Sequence, residues 1–366
     1  MDGSQQAGAG LDTILEPEWY LAAYPQAVAE IAAGRARDPG DHYARFGRSR
    51  GYLPNVRAPR PRDPAGFRSA FGGLWTDQGN ALDIVEGKLE LGRISPAQAR
   101  LLRTFIVDGY VVLKKAVSPL ALWRARRALE AAYAGKMTGL KFCCPHLGFE
   151  VGDWVPGLTE VPAKALEMHA RSRAVRDAIF APAISDFLAL IFDRRAMATQ
   201  TLGFYRGSSQ SAHQDTAYVT YSLPLQFAAS WIALEDVRAG AGELFYYAGS
   251  QKLGDFLYAG EFKGLSEGKR RLPGWDGVEE SHRHWESIVQ RSAQEGCEER
   301  TFLARKGDAL IWAADLAHGG KPISLERSRR SIVTHYCPAD VAPLYFEDGP
   351  RKIWRHHSGN RFTTLL

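Results

Sequence analysis

The chain's chemistry is concentrated in a few side chains. His213 and Asp215 stand two apart in Ser211-Ala-His-Gln-Asp-Thr216. In an extended segment, residues i and i+2 point to one face, so an imidazole and a carboxylate can grip a single cation from there. Two ligands do not fill a coordination shell. The best third candidate is His318, in Asp315-Leu-Ala-His-Gly-Gly320. Two histidines and one carboxylate on one side of a metal leave its other positions open. That arrangement suits non-haem Fe(II), which must take a co-substrate and dioxygen together. Eleven residues beyond His318 comes Arg329. A guanidinium clamps a carboxylate through two parallel hydrogen bonds, as the far end of a dicarboxylate such as 2-oxoglutarate requires.

A lone His-x-Asp is a weak signal, because so short a motif recurs by chance and often marks a surface turn. Its surroundings strengthen it here. A strand-like run, 199–206, and Gly207-Ser208-Ser209 precede His213. Gly307-Asp308 feeds an apolar run, 309–312, ahead of His318, and Arg329 opens a further run at 331–336. Within that run, Arg329, Ser331, Val333 and His335 share one face and Arg330 lies on the other.

Together these segments resemble the phytanoyl-CoA dioxygenase family of Fe(II)- and 2-oxoglutarate-dependent oxygenases, over about residues 94–343. The similarity is carried by 105–113, His213-Gln-Asp215, 231–237, 242–250, Gly307-Asp308, His318-Gly319 and 329–332. One departure is Gln251 after Gly249-Ser250, where members of the family often carry histidine. The resemblance implies metal ligation by His213, Asp215 and His318. It implies that Arg329, rather than Arg330, holds the far carboxylate of 2-oxoglutarate. Fe(II), 2-oxoglutarate and dioxygen are the implied cofactors and co-substrates, with ascorbate as reductant in vitro. The implied reaction is hydroxylation of an unactivated C–H in a small-molecule, lipid or sugar-linked substrate. Related halogenases lack the carboxylate that Asp215 supplies. Ring formation, desaturation and epimerisation stay open as outcomes at the same centre. Two other classes stand beside this reading: a non-oxidative metal-binding β-barrel, and a glycan-associated interaction protein.

Composition is compatible with an enzyme and narrows its partners. The 366 residues are 45% hydrophobic and 24% charged, ordinary for a globular chain with a sizeable core. A net charge of +5, spread evenly, does not point to nucleic acid. No apolar run approaches the ~18 residues of a membrane span. The first ten residues are small and polar, unlike a signal peptide. Four cysteines without a Cys-x-x-Cys pair read as free thiols in a reducing cytoplasm, although Cys143-Cys144 with His146 is a conceivable metal set.

The elements that must position the site follow in chain order. Residues 1–10 read as a disordered tail and 11–55 as a small helical module. Three short helices are expected there, around Trp19-Tyr20, Val28-Ile31 and His42-Phe46. The module resembles short units attached to bacterial glycosyltransferases, which would offer a surface for a partner or glycan. Its aromatic residues also suffice for a small core of its own. Residues 56–66, rich in proline and arginine, read as a linker. The catalytic domain is expected over 67–366. Ser95 and Ser118, each followed by proline, cap two helices, the first ending before Gly109. Residues 164–192 read as two helices broken at Pro182. Short strands then follow at 199–205, 227–234, 243–247, 309–312 and 331–336. Helices first and strands later give an α+β class; the resemblance implies a double-stranded β-helix, a jelly-roll core flanked by helices. About 249–300 is a long insertion, expected to form a lid with a helix near 279–293. His282 and His284 within it are expected at the surface, as is Lys269-Arg270-Arg271, which could alternatively hold an anionic substrate handle.

Overall fold

The computed structural model describes residues 15–47, 52, 66–344 and 352–364. The tail at 1–10 and all but the last residue of the expected linker lie outside the described residues. Three short helices come first: α1 (Pro17–Ala23), α2 (Pro25–Ala32) and α3 (Pro39–His42), the last running into a π-type turn, Tyr43–Gly47. Proline opens each helix, where its missing N–H loses nothing. Tyr20, Tyr24 and Ala27 form a core here, with Tyr24 stacked on Tyr52 at 4.0 Å between ring centroids. The Tyr20 hydroxyl meets His42 Nδ1 at 2.8 Å, and His42 Nε2 meets Glu30 at 3.0 Å.

Next come α4 (Ala81–Glu90), α5 (Pro96–Asp108), β1 (Tyr110–Leu113) and α6 (Pro119–Tyr133). The Ser95 hydroxyl and Gln98 side chain cap α5 reciprocally, and Gly109 ends it at φ +80°, a left-handed conformation that glycine adopts without strain. Beyond α6 lie β2 (Lys141–Cys144), β3 (Phe149–Gly152) and β4 (Lys164–Leu166), then α7 (Met168–Arg171), α8 (Arg173–Ile179) and α9 (Pro182–Phe192). Residues 164–166 are therefore a strand and not the expected start of a helix. Lysine, alanine and leucine favour helix, but pairing with β2 on one side and the next strand on the other overrides that preference.

The remaining elements are β5 (Ala196–Phe204), β6 (Ala228–Ala233), β7 (Leu244–Tyr247), α10 (Leu265–Arg271), α11 (Val278–Gln294), β8 (Glu299–Phe302), β9 (Ala309–Ala313), β10 (His318–Gly320), β11 (Ser331–Pro338), β12 (Trp354–Arg355) and β13 (Arg361–Phe362). Among the described residues, ten strands form one large sheet, mostly antiparallel, in the order β1-β9-β6-β11-β5-β4-β2-β3, with β13 joining β5 and β12 joining β13. A smaller sheet runs β10-β7-β8.

Alternation along the central strands shows how the layers pack. Ala229, Trp231, Leu310 and Trp312 face Leu244, Tyr246 and Phe302 of the small sheet. Ile232, Ile311, Ile332 and Tyr336 face the opposite way, into a core shared with α5, α6, α8 and α9. Both faces are buried, which is why these strands read as near-continuous apolar runs. Each buried Ile or Leu contributes about 1.5–3 kcal/mol. The result is a mixed helix-and-sheet fold in which a large sheet faces a small one, consistent with a jelly-roll core. All four cysteines are free, Cys143 and Cys144 lying on β2. Among the described residues, no helix is long and apolar enough to cross a membrane.

Candidate metal centre

His213 and His318 are brought together by backbone pairing. The N–H of His213 donates to the carbonyl of His318 at 2.9 Å, and the N–H of His318 returns to the carbonyl of His213 at 3.0 Å. This is one isolated antiparallel bridge between the loop after β5 and the start of β10. It sets the two imidazoles 4.5 Å apart between centroids. Asp215, in a short 3-10 turn, places Oδ1 3.8 Å from His213 Nε2 and 3.6 Å from His318 Nε2. All three residues are buried, and their ligand atoms lie within 4.8 Å of one another.

The hydrogen bonds of the two rings decide which nitrogens face inward. Nδ1 of His213 lies 2.8 Å from the carbonyl of Ser211, and Nδ1 of His318 lies 2.9 Å from that of Leu316. A carbonyl only accepts, so each Nδ1 carries the hydrogen and each Nε2 presents its lone pair to the centre. Burial, reinforced by His318, lowers the pKa of His213 to about 3, so its ring is neutral near pH 7. Burial pushes the Asp215 carboxyl upward, but His318, His335 and His213 outweigh it and hold it well below the usual range. The site thus offers two imidazole nitrogens and one carboxylate oxygen, a donor set that suits a divalent metal.

Around the three ligands lies a ring of supporting contacts. The Trp312 indole N–H donates to Asp215 Oδ2 at 2.9 Å. His335 Nε2 is 3.4 Å from the same oxygen, while its Nδ1 meets Gln200 Oε1 at 2.9 Å. The Gln210 amide nitrogen lies 3.2 Å from His213 Nε2, and Lys164 reaches Gln210 Oε1 at 3.4 Å. In the sequence His335 shares a face with Arg329, but nothing there gives it, Trp312, Gln210 or Lys164 a role. The one usable signal was alternation: Trp312 and His335 fall on the inward-facing positions of β9 and β11.

Arg329 and Arg330 separate as alternation requires. Arg329 is 2% exposed and points among the rings of Phe204 and Trp231, at 5.6 and 5.3 Å from their centroids. One nitrogen donates to the carbonyl of Gly242 at 2.6 Å, and Nε has no partner among the described residues. Burial lowers its pKa to about 10, which leaves it charged at neutral pH. Two residues on, the Ser331 hydroxyl is buried and likewise without a partner among the described residues. Arg330 faces the other way, onto Glu235 at 2.6 Å and the Tyr205 hydroxyl at 2.7 Å.

The long insertion packs on both ligand-bearing loops. Ile288 of α11 sits with Ala212 and Ala317, the residues before His213 and His318. Gln214, between the two ligands of the first loop, donates to the carbonyl of Asp315 at 2.8 Å, and its Oε1 meets His284 Nε2 at 3.1 Å. Asp315 also accepts from the Thr216 hydroxyl at 2.6 Å and pairs with buried Lys263 at 2.7 Å; Lys263 pairs in turn with Asp255 at 2.8 Å. Trp285 donates to the Tyr218 hydroxyl at 3.1 Å, and the Tyr218 ring lies 5.9 Å from His213. The surface expectation is thus corrected for His284, which is 3% exposed and hydrogen-bonded at both nitrogens, while His282 is exposed. It is corrected too for the basic triplet. Only Lys269 is exposed; Arg271 pairs with Glu267 and Glu261, and Arg270 donates to the carbonyl of Leu344. Helical periodicity put His282 and His284 on different faces, and the core took the second.

A two-sheet core with a buried two-histidine, one-carboxylate cluster and a separate buried arginine defines a non-haem metal oxygenase of the 2-oxoglutarate-dependent class. The family model for phytanoyl-CoA dioxygenase (PhyH) matches residues 105–331, well over half the chain. The chain belongs to the phytanoyl-CoA dioxygenase family and is an Fe(II)- and 2-oxoglutarate-dependent oxygenase. No curated protein matched in a sequence comparison. Among solved structures, the fold resembles EctD from S. alaskensis with 2-oxoglutarate and 5-hydroxyectoine, with TM-score 0.50, 16% identity, and 71% of this chain and 82% of that one covered. The epimerase SnoN in complex with Fe3+, alpha ketoglutarate and nogalamycin RO matches with TM-score 0.49 and 17% identity, over 67% of this chain and 85% of its own. The carbocyclase SnoK from nogalamycin biosynthesis matches with TM-score 0.48 and 15% identity, over 70% and 89%.

Trp312→Phe keeps a large ring beside Asp215 and removes its N–H donor. Losing such an outer partner is expected to weaken divalent-metal binding on the order of 10–100-fold. A chelator-competition titration reads this, and unchanged affinity would show that the contact does not orient the carboxylate.

Proposed function

We propose that the chain hydroxylates an unactivated C–H of a small-molecule, lipid or sugar-linked substrate, at iron held by His213 Nε2, Asp215 and His318 Nε2. The observation that carries this reading is the fixed tautomer of both histidines. Backbone carbonyls hold each Nδ1–H, so both Nε2 lone pairs converge on Asp215 Oδ1 before any ion binds. Asp215 fills the ligand position that a halide would otherwise need, which favours hydroxylation over halogen transfer. Iron, 2-oxoglutarate and dioxygen supply the oxidising power, with 2-oxoglutarate leaving as succinate and carbon dioxide.

The protein's own part is binding, orientation and exclusion of water. Arg329 receives the far carboxylate of 2-oxoglutarate. Among the described residues this buried cation has no ion pair and its Nε no partner, so a carboxylate satisfies it better than the neighbours beside it. Ser331, buried and unpartnered on the same face, adds a hydroxyl donor. The aromatic walls of Phe204 and Trp231 keep that end of the pocket dry, which strengthens the charge-assisted bonds. Tyr218, held by Trp285 of the insertion, forms a wall beside His213 where substrate would approach.

The architecture we assign is a double-stranded β-helix at 67–366, carrying the insertion of about 249–300 as a wall over the metal. The linker at 56–66 joins it to a separate helical unit at 11–55, whose aromatic residues pack on one another. Four free cysteines fit a reducing compartment, and we assign the protein to the cytoplasm.

Two measurements test this assignment. Arg329→Ala is expected to raise KM for 2-oxoglutarate by an order of magnitude or more, as the loss of about 1.5–3 kcal/mol of charge-assisted bonding predicts. Arg330→Ala, on the outer face, should leave KM within about twofold, and the reverse pattern would place the clamp at the wrong arginine. A chain shortened to residues 67–366 is expected to unfold cooperatively and still convert 2-oxoglutarate to succinate. An insoluble or molten product would show that the helical unit is part of the catalytic domain.

A further inference from the structure

Away from the barrel, three more metal-competent side chains converge at the end of the chain. Asp177 lies on α8, and His356 and His357 lie in the turn between β12 and β13. His356 Nε2 is 3.1 Å from Asp177 Oδ1, and His357 Nδ1 is 3.8 Å from the same oxygen. The two rings lie 3.9 Å apart between centroids at 43°. The three ligand atoms fall within 4.8 Å of one another. In a tetrahedral zinc site with bonds of about 2.0–2.1 Å, neighbouring ligand atoms are about 3.3 Å apart. The two distances to Asp177 bracket that spacing.

A simple hydrogen bond between His356 and Asp177 accounts for the first ring, which is buried. It leaves the second unexplained. His357 has a side chain 64% exposed to solvent, yet it lies against the first ring with a nitrogen turned to the same carboxylate oxygen. Two neutral imidazoles and a carboxylate are a donor set for zinc. The Ser358 backbone N–H donates to His356 Nδ1 at 3.3 Å, with the Ser358 hydroxyl 2.8 Å from the same nitrogen, so Nε2 carries the ring's hydrogen toward Asp177 and a metal binds there by displacing that proton. Two cations oppose binding. Arg173 approaches Asp177 Oδ2 at 3.8 Å but is 78% exposed, so its effect is screened, and it leaves Oδ1 free. Arg176 is engaged elsewhere, donating to the carbonyl of His169 and lying over the Phe362 ring.

The geometry points to a second metal site, formed by Asp177 Oδ1, His356 Nε2 and His357 Nδ1, that takes Zn2+ with water in the fourth position. Its consequence is structural. β13 adds to β5, the strand that leads toward His213, so an ion here pins the C-terminal hairpin to α8 beside that strand.

The test is a Zn2+ titration of the metal-free full chain, read by calorimetry and by elemental analysis after dialysis. His357→Ala removes an exposed ligand and leaves the fold and the barrel intact. Wild type is expected to bind one more equivalent than His357→Ala, whether or not the barrel itself takes zinc. A second readout uses Asp215→Ala, which disables the barrel cluster. Zn2+ should raise the Tm of that variant and leave the Tm of the double variant Asp215→Ala/His357→Ala unchanged. Equal stoichiometry in wild type and His357→Ala, or no zinc retained by Asp215→Ala, would overturn the proposal and leave a hydrogen-bonded hairpin only.

Discussion

The pair of backbone hydrogen bonds between His213 and His318 is the constraint on which the rest of the site depends. The two residues are 105 positions apart, and neither loop alone fixes its side chain. Joined as an antiparallel pair, they share one local frame, and their rings emerge side by side. The carbonyls of Ser211 and Leu316 then choose the tautomer of each ring. Everything larger serves this pair. β5 carries the first loop, the small sheet carries β10, and the packing of Trp231 and Trp312 against Tyr246 and Phe302 holds the two sheets at their separation. Trp312 also reaches the carboxylate of Asp215, so one residue joins the core to the chemistry.

The insertion contributes a second constraint. Lys263 is 3% exposed and lies between Asp255 and Asp315. Burial lowers the pKa of its ammonium, but Asp315 and Asp255 outweigh that and hold it above its usual value. A buried ion triplet is not a strong net stabiliser, since desolvation offsets most of the attraction; removing one partner, however, costs about 3–5 kcal/mol. Its position explains its use. Asp315 lies three residues before His318 and is gripped by Lys263, Thr216 and Gln214 together. The loop bearing one metal ligand is thereby tied to the loop bearing the other two and to the insertion. The Gln214–His284 contact adds α11 to the same assembly.

Much of this was legible in the residues, for identifiable reasons. The candidate metal ligands and the buried arginine are marked by side-chain type, and types survive translation into space when the flanking strands are strongly apolar. Caps at Ser95 and Ser118, proline at the first helical turn and glycine at 109 made α5 and α6 readable, because those signals act within four residues. What stayed hidden depends on long-range pairing. β2, β3 and β4 are only three or four residues long, too short for a period to show, and β4 carries helix-favouring residues; it is a strand because it pairs with β5 and β2. The burial of His284 and Lys263 was invisible because their partners, Gln214 and Asp315, stand 70 and 52 positions before and after them in the chain. A buried charged residue looks like a surface one until its partner is placed.

In the proposed function, one divalent ion held by His213, Asp215 and His318 is required before 2-oxoglutarate can bind with its far end on Arg329. Calorimetry with a redox-inert divalent metal in place of iron tests it without substrate, oxygen or turnover. The expected result is that 2-oxoglutarate binds to the metal-loaded protein in a 1:1 complex, that metal-free protein shows no such binding, and that Asp215→Ala loses it even at saturating metal. Equal binding of 2-oxoglutarate with and without metal, or full binding by Asp215→Ala, would contradict it.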